Sequence, residues 1–217
     1  MRGKRMACFI GGFLFTTFCF SWAQNFLGSD SMDDLARLKG YERKRISSFD
    51  RTGKNADYLK IEPGETAELA KIEGAGIIKH IWITLSSEDP MVRRNAVLRM
   101  YWDGEKEPSV ECPLGDFFGQ GWGEKYNFVS LPLAASPREG NALNCFFPMP
   151  FSHGALISLE NQSAMPIRAF YYYIDYEKHK SLPPDLGRFH AFWNRELTEP
   201  LPEGENEWSV LEEQKPN

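Results

Sequence analysis

Ile167-Arg168-Ala169-Phe170-Tyr171-Tyr172-Tyr173-Ile174-Asp175-Tyr176 is the stretch whose reading decides the fold. Successive side chains of a strand point to opposite faces, so Phe170, Tyr172, Ile174 and Tyr176 fall on one side and Ala169, Tyr171, Tyr173 and Asp175 on the other. Rings occur on both sides, which predicts a strand partly covered on each. Working outward, Ile77 to Leu85, Val97 to Asp103, Tyr126 to Leu133 and Ala155 to Glu160 share its richness in β-branched and aromatic residues. Glu62-Pro63-Gly64, Asp103-Gly104, Ser136-Pro137 and Glu139-Gly140 punctuate them as turns. Strand after strand without helical periodicity builds packed sheets rather than alternating strand and helix units. The prediction is an all-β, jelly-roll β-sandwich with short flanking helices. One such helix is expected between Ser29 and Gly40, where Ser31 can cap, acids fill the first turn and a glycine closes.

The chain has 217 residues, of which 42% are hydrophobic and 25% charged, a globular balance. A net charge of −5 offers no broad cationic surface for a phosphate backbone, so nucleic acid is not an expected partner. Arg2, Lys4 and Arg5 precede an apolar run from Ala7 to Phe20, and Ser21-Trp22-Ala23 supplies a small-x-small cleavage pattern. Residues 1–23 therefore read as a secretory signal, shorter than the roughly 20 apolar residues of a span. The expected product is secreted or periplasmic, with no membrane attachment after cleavage. Residues 24–180 are expected to form the jelly-roll domain and 181–217 a C-terminal extension. Within that extension, Phe189 to Trp193 reads as a turn or two of helix, and the Pro- and Glu-rich tail from Thr198 as poorly ordered. Cys112 and Cys145 remain after signal removal. In an exported chain they form either a disulfide or two buried thiols.

Chemistry-bearing residues concentrate in two places. Ser47 to Tyr58 gathers Asp50, Arg51, Asn55 and Asp57 around Gly53. Carboxylate, guanidinium and amide groups are what grips vicinal hydroxyls, while the same residues also make a self-satisfied Asx turn. Pro113 to Gly119 places Asp116 inside an apolar loop, where a carboxylate must be paired, hydrogen-bonded or functional. Trp102, Phe117, Phe118 and Trp122 offer either an aromatic platform for sugar faces or ordinary core packing. Asp50, Asp57, Asp103, Glu111 and Asp116 are the acids in structured stretches, and none has a spacing that singles it out for acid–base work. His80, His153, His179 and His190 are scattered, so no metal or cofactor is expected. His80 is expected on a strand face. Neither a phosphate-cradling glycine loop nor a serine-hydrolase elbow occurs.

Several ordered motifs resemble one family. Ser47-Ser48-Phe49-Asp50-Arg51-Thr52-Gly53 with Asn55, Asp57 and Tyr58 comes first, then Ile78-Lys79-His80-Ile81-Trp82 and Tyr101-Trp102-Asp103-Gly104. Pro108-Ser109-Val110-Glu111, Pro113-Leu114-Gly115-Asp116-Phe117-Phe118-Gly119 and Phe147-Pro148-Met149-Pro150-Phe151 follow. From about Leu38 to Arg195 they resemble glycoside hydrolase family 172, the former domain of unknown function 2961. The resemblance implies one of two jelly rolls, a trimer-based homo-oligomer, and action on carbohydrate substrates of the fructo- or arabinofuranoside type. In the family two glutamates, in Gly-Glu-Gly-Asp-Glu and Thr-Glu-Asp-Tyr stretches after the first sandwich, act as nucleophile and acid/base. Neither stretch occurs in this chain. The expectation is therefore an N-terminal part without catalytic glutamates, inactive alone, or a non-catalytic module for glycan binding or oligomer assembly. A truncated product, a split gene and a stand-alone module all fit the sequence. Asp50, Arg51 and Asn55 are the first candidates for substrate binding, followed by Trp102, Asp116 and Phe118; no catalytic residue is assigned.

Overall fold

A computed structural model describes residues 36–197. The secretory-signal reading, most of the expected Ser29–Gly40 helix and the tail from Thr198 lie outside the described residues. Every strand and α-helical turn among the described residues belongs to the unit that begins at Leu38. In chain order these are β1 (Glu42–Ser47), β2 (Leu59–Ile61), β3 (Thr66–Glu73), β4 (Gly76–Ser87) and the single turn α1 (Val92–Asn95). Next come β5 (Ala96–Trp102), β6 (Val110–Pro113), the single turn α2 (Leu114–Phe117), β7 (Phe128–Val129), β8 (Leu133–Ala135) and β9 (Leu143–Cys145). β10 (Met149–Phe151), β11 (Gly154–Asn161), β12 (Ile167–Lys178) and β13 (Ala191–Phe192) complete them.

Two sheets form the expected β-sandwich. The eight-stranded sheet runs β1-β12-β4-β9-β8-β7, with β2 also on β12 and β10 also on β4. The five-stranded sheet runs β13-β6-β5-β11-β3. Alternation along β12 is as the sequence predicts: Phe170, Tyr172 and Ile174 are buried, whereas Tyr171, Tyr173 and Asp175 are not. Ile81 and Ile83 of β4 join them from the larger sheet, facing Leu98, Met100, Trp102, Ile157 and Leu159 of the smaller. Burying such side chains stabilises by about 1.5–3 kcal/mol each, so this interlayer is what fixes both registers.

Local chemistry sets the turns. Asp103 (φ 56°) and Gly104 (φ 84°) are both left-handed, and Glu105 N–H donates to Trp102 O at 3.0 Å, the mirror-image turn that suits the twist of a hairpin. Asp103 Oδ1 then accepts from the backbone N–H groups of Ser152 (2.7 Å) and His153 (2.6 Å). The β5–β6 turn is thereby tied to the β10–β11 turn.

Two expectations are corrected. The expected Tyr126–Leu133 strand is instead a hairpin, with Phe128–Val129 in β7 and Leu133 opening β8. Tyr126 Oη instead accepts from Gly121 N–H (3.0 Å) and donates to Gly119 O (2.7 Å), and Ser130 N–H closes on Leu133 O at 2.8 Å. The Tyr126 contacts, with Gln120 Nε2 donating to Tyr126 O at 2.8 Å, hold the segment before Phe128 out of the sheet, and the Ser130–Leu133 bond closes the β7–β8 hairpin. Phe189 to Trp193 is not helical, since Ala191–Phe192 pairs in parallel with Val110–Glu111. The open edge of β6 offers main-chain partners: Ala191 N–H donates to Ser109 O (3.1 Å) and Trp193 N–H to Glu111 O (3.2 Å). The smaller sheet thus takes in residues beyond 180. Cys112 and Cys145 are free thiols, both buried, and burial pushes each up to about 12, which keeps them protonated and unreactive.

Candidate functional site

The outward face of the larger sheet carries the richest polar and aromatic constellation among the described residues. Strand register builds it in rows. Arg45 of β1, Asp175 of β12 and His80 of β4 lie directly across from one another, and the next row holds Ser47, Tyr173, Trp82 and Asn144. Arg45 grips Asp175 with two parallel bonds, Nε to Oδ1 at 2.6 Å and Nη2 to Oδ2 at 2.7 Å, the fork geometry that fixes both side chains. His80 is held at both ring nitrogens, Nδ1 by Asp175 Oδ2 at 3.4 Å and Nε2 by Asn144 Oδ1 at 3.1 Å.

Aromatic rings flank this polar line. Trp82 and Tyr173 stack at 4.8 Å between centroids, and the Arg45 guanidinium lies 4.5 Å above the Tyr173 ring. Phe146 stacks almost parallel on His80 at 4.7 Å. Phe146 remains 48% exposed, so it keeps a free face for a ligand, whereas Tyr173 carries Trp82 and Arg45 against its ring. An open groove of about 540 Å3 runs beside them, bounded by Arg45, Lys79, His80, Phe146, Asp175 and Glu177. The Arg45 hydrogen bonds, outweighing desolvation, hold the Asp175 carboxyl below the ordinary carboxylate range. Asp175 is therefore an ionised acceptor, not a proton donor.

The residues singled out from sequence are placed elsewhere and do not meet in one site. Asp50 is consumed by its own loop: Oδ1 accepts from Thr52 N–H (2.8 Å) and Thr52 Oγ1 (2.7 Å), and Oδ2 from Lys54 N–H (3.1 Å) and Ala56 N–H (3.2 Å). Those bonds hold its carboxyl below its usual value. Asn55 takes the left-handed backbone of the turn (φ 64°), and Arg51 reaches over the Phe49 ring at 5.5 Å. Trp102 and Phe118 are both 0% exposed and pack in the core. Asp116 lies against Arg94 Nη2 at 3.2 Å, and burial raises its carboxyl above the ordinary range despite that guanidinium. Its Oδ2 is buried without a hydrogen-bond partner, and Arg94 in turn stacks on Trp193 at 5.1 Å.

His80 occupies the strand face expected of it. Arg45, Phe146 and Asp175 of the groove, and Trp82, Asn144 and Tyr173 in the row beside it, are the residues that sequence reading missed. One signal was present: the outward positions of β12 are Tyr171, Tyr173 and Asp175, an aromatic and acidic set where a merely solvated face would carry short polar residues.

Chemically the groove offers what a sugar ring requires, namely flat apolar faces for C–H patches beside acceptors and donors locked in place. Its Asp175 carboxyl is lowered, and the raised Asp116 belongs to the Arg94 contact. Among the described residues no cluster of side chains could hold a metal ion, and no helix is long and apolar enough to cross a membrane. A family model described as GH172 domain-like matches residues 51–171. Among curated proteins no match was found.

Proposed function

Because the chain belongs to the GH172 domain-like family and is thereby a glycoside-hydrolase-related, carbohydrate-active protein, we propose that it is a secreted sugar-binding sandwich. Its ligand is a furanoside of the fructose or arabinose type, and it assembles as a trimer-based homo-oligomer, as the family resemblance implies. The observation that carries the reading is the Arg45–Asp175–His80–Asn144 line set between the Trp82–Tyr173 stack and Phe146. Such a line presents fixed acceptors and donors to ring hydroxyls while the aromatic faces take the apolar side of the sugar.

The chain by itself binds and does not cleave. A retaining or inverting glycosidase needs one carboxylic acid that stays protonated opposite a second carboxylate. In the groove Asp175 is kept ionised by Arg45, which suits hydroxyl binding and unsuits proton donation to a leaving group. Titration calorimetry of the purified chain with arabinofuranosyl and fructofuranosyl oligosaccharides tests this. Saturable binding without release of reducing sugar is expected. Hydrolysis that survives purification, or the absence of any saturable binding, overturns it.

A further inference from the structure

The groove contains a cation, Lys79, that makes no ion pair among the described residues. Between β4 and β12 the register slips: Asp175 faces His80 and the next residue, Tyr176, faces Ile78, so Lys79 has no partner across the ladder. This is a β-bulge, which adds a residue to one strand and re-aims side chains. Ile78 and Ile81 on either side are fully buried, while consecutive Lys79 and His80 both border the groove. On its other side β4 passes from β10, paired at Gly76–Ile78, to β9, paired at Ile81–Ile83. Lys79 and His80 therefore sit at the break between two neighbours, next to Phe146.

The remaining cations of the groove are occupied. Arg45 is committed to Asp175 by two bonds, Lys44 lies 2.7 Å from Glu42, and Arg43 approaches Glu177 at 3.9 Å. Lys79 is half-buried and makes no ion pair among the described residues. A protein of net charge −5 thus has a groove whose lining includes four cations and two acids, a local reversal of sign that concentrates anions.

We propose that the groove takes a glycan bearing an anionic oxyacid group, a carboxylate or a sulfate, seated on the Lys79 ammonium beside the sugar face held by Phe146. The inference rests on the groove being the sugar site and adds the charge of the sugar. A groove-lining ammonium without an ion pair that gains an oxyanion makes a charge-assisted hydrogen bond, and the bulge supplies the position without disturbing the buried isoleucines below.

The test compares three probes on the full chain by calorimetry: a neutral arabinofuranosyl oligosaccharide, an oligogalacturonate and a sulfated oligosaccharide. At least one anionic probe is expected to bind about tenfold tighter than the neutral one, equivalent to ~1.4 kcal/mol, with the advantage shrinking as salt rises. Lys79→Gln is expected to collapse that preference and Lys79→Arg to restore most of it, with the amide spectrum of each variant showing an intact fold. Which anion gains distinguishes a carboxylate from a sulfate ligand. Equal binding of neutral and anionic probes, or an unchanged preference in Lys79→Gln, overturns this inference and leaves the sugar site standing. Failure of all three probes to bind overturns both.

Discussion

The indole Nε1–H of Trp102 donates to the main-chain carbonyl of Phe189 at 2.7 Å across 87 residues of sequence. That bond closes the C-terminal segment over a fully buried tryptophan. Arg188 fastens the same segment to Asp103 Oδ2 at 2.6 Å and Ser152 Oγ at 2.7 Å, and the Phe189 ring lies against Phe117 and Phe147. Phe189→Ala is expected to cost about 2 kcal/mol, the scale of a partly buried ring lost with incomplete collapse around it. A chain ended after Lys180 should lose more and bind a hydrophobic dye, because Trp102 and its neighbours would face water. Urea unfolding of both forms reads the difference.

Asp50 links a sequence expectation to a structural role. Its four accepted hydrogen bonds organise residues 50–57, so Asp50→Ala is expected to speed amide exchange at Thr52, Lys54 and Ala56 and to lower the melting temperature. Sugar affinity in the groove should stay unchanged. A loss of affinity without loosening of the loop would return Asp50 to the binding site.

Asn161 is fully buried, and its amide spans three main-chain groups. Nδ2 donates to Ile61 O (3.1 Å) and Met165 O (3.0 Å), and Oδ1 accepts from Ser163 N–H (3.1 Å). Asn161→Leu keeps volume and orphans all three, for which a cost of about 2–3 kcal/mol is expected. Equilibrium denaturation checks it, and a change within experimental error would mean that water replaces the amide.

Acid should loosen the groove before it unfolds the sandwich. Asp175 has a folded pKa depressed chiefly by its hydrogen bonds to Arg45, so its contribution is fully present above the unfolded value of about 4 and is lost as pH falls through the lower folded value. Arg45 is 54% exposed at the side chain and Asp175 28%, and solvent screening limits the pair to about 0.5–1 kcal/mol. Asp175→Asn should remove that acid-dependent part of the stability curve and leave the plateau near neutrality lower by the same amount.

Phe146 is a test of stacking with little burden on the core. Phe146→Ala is expected to weaken furanoside binding about tenfold, near the upper end of what one aromatic face supplies, and to change stability by less than about 0.5 kcal/mol, as for an exposed position. Binding and thermal melts on one preparation separate the two effects.

Sequence alone determined the all-β layering, because the period of two along Ile167–Tyr176 and the Asp103-Gly104 turn are local properties that no packing partner has to supply. It also marked Asp116 as a carboxylate that must be paired, hydrogen-bonded or functional, and the fold sets it against Arg94. The groove came only with the tertiary structure. Arg45, His80, Asn144 and Asp175 are separated by up to 130 residues and acquire a shared chemistry through the cross-strand register of β1, β12, β4 and β9. The same is true of Lys79: Ile78 and Ile81 lie three apart, and only the pairing with β12 shows that the extra residue forms a bulge facing the groove. Phe189 to Trp193 was misread for a related reason, since an aromatic segment with weak local preference takes the conformation that an open sheet edge and a waiting tryptophan offer it. Hydrophobic period is written in neighbours along the chain, whereas register and edge pairing are decided by residues far apart in it.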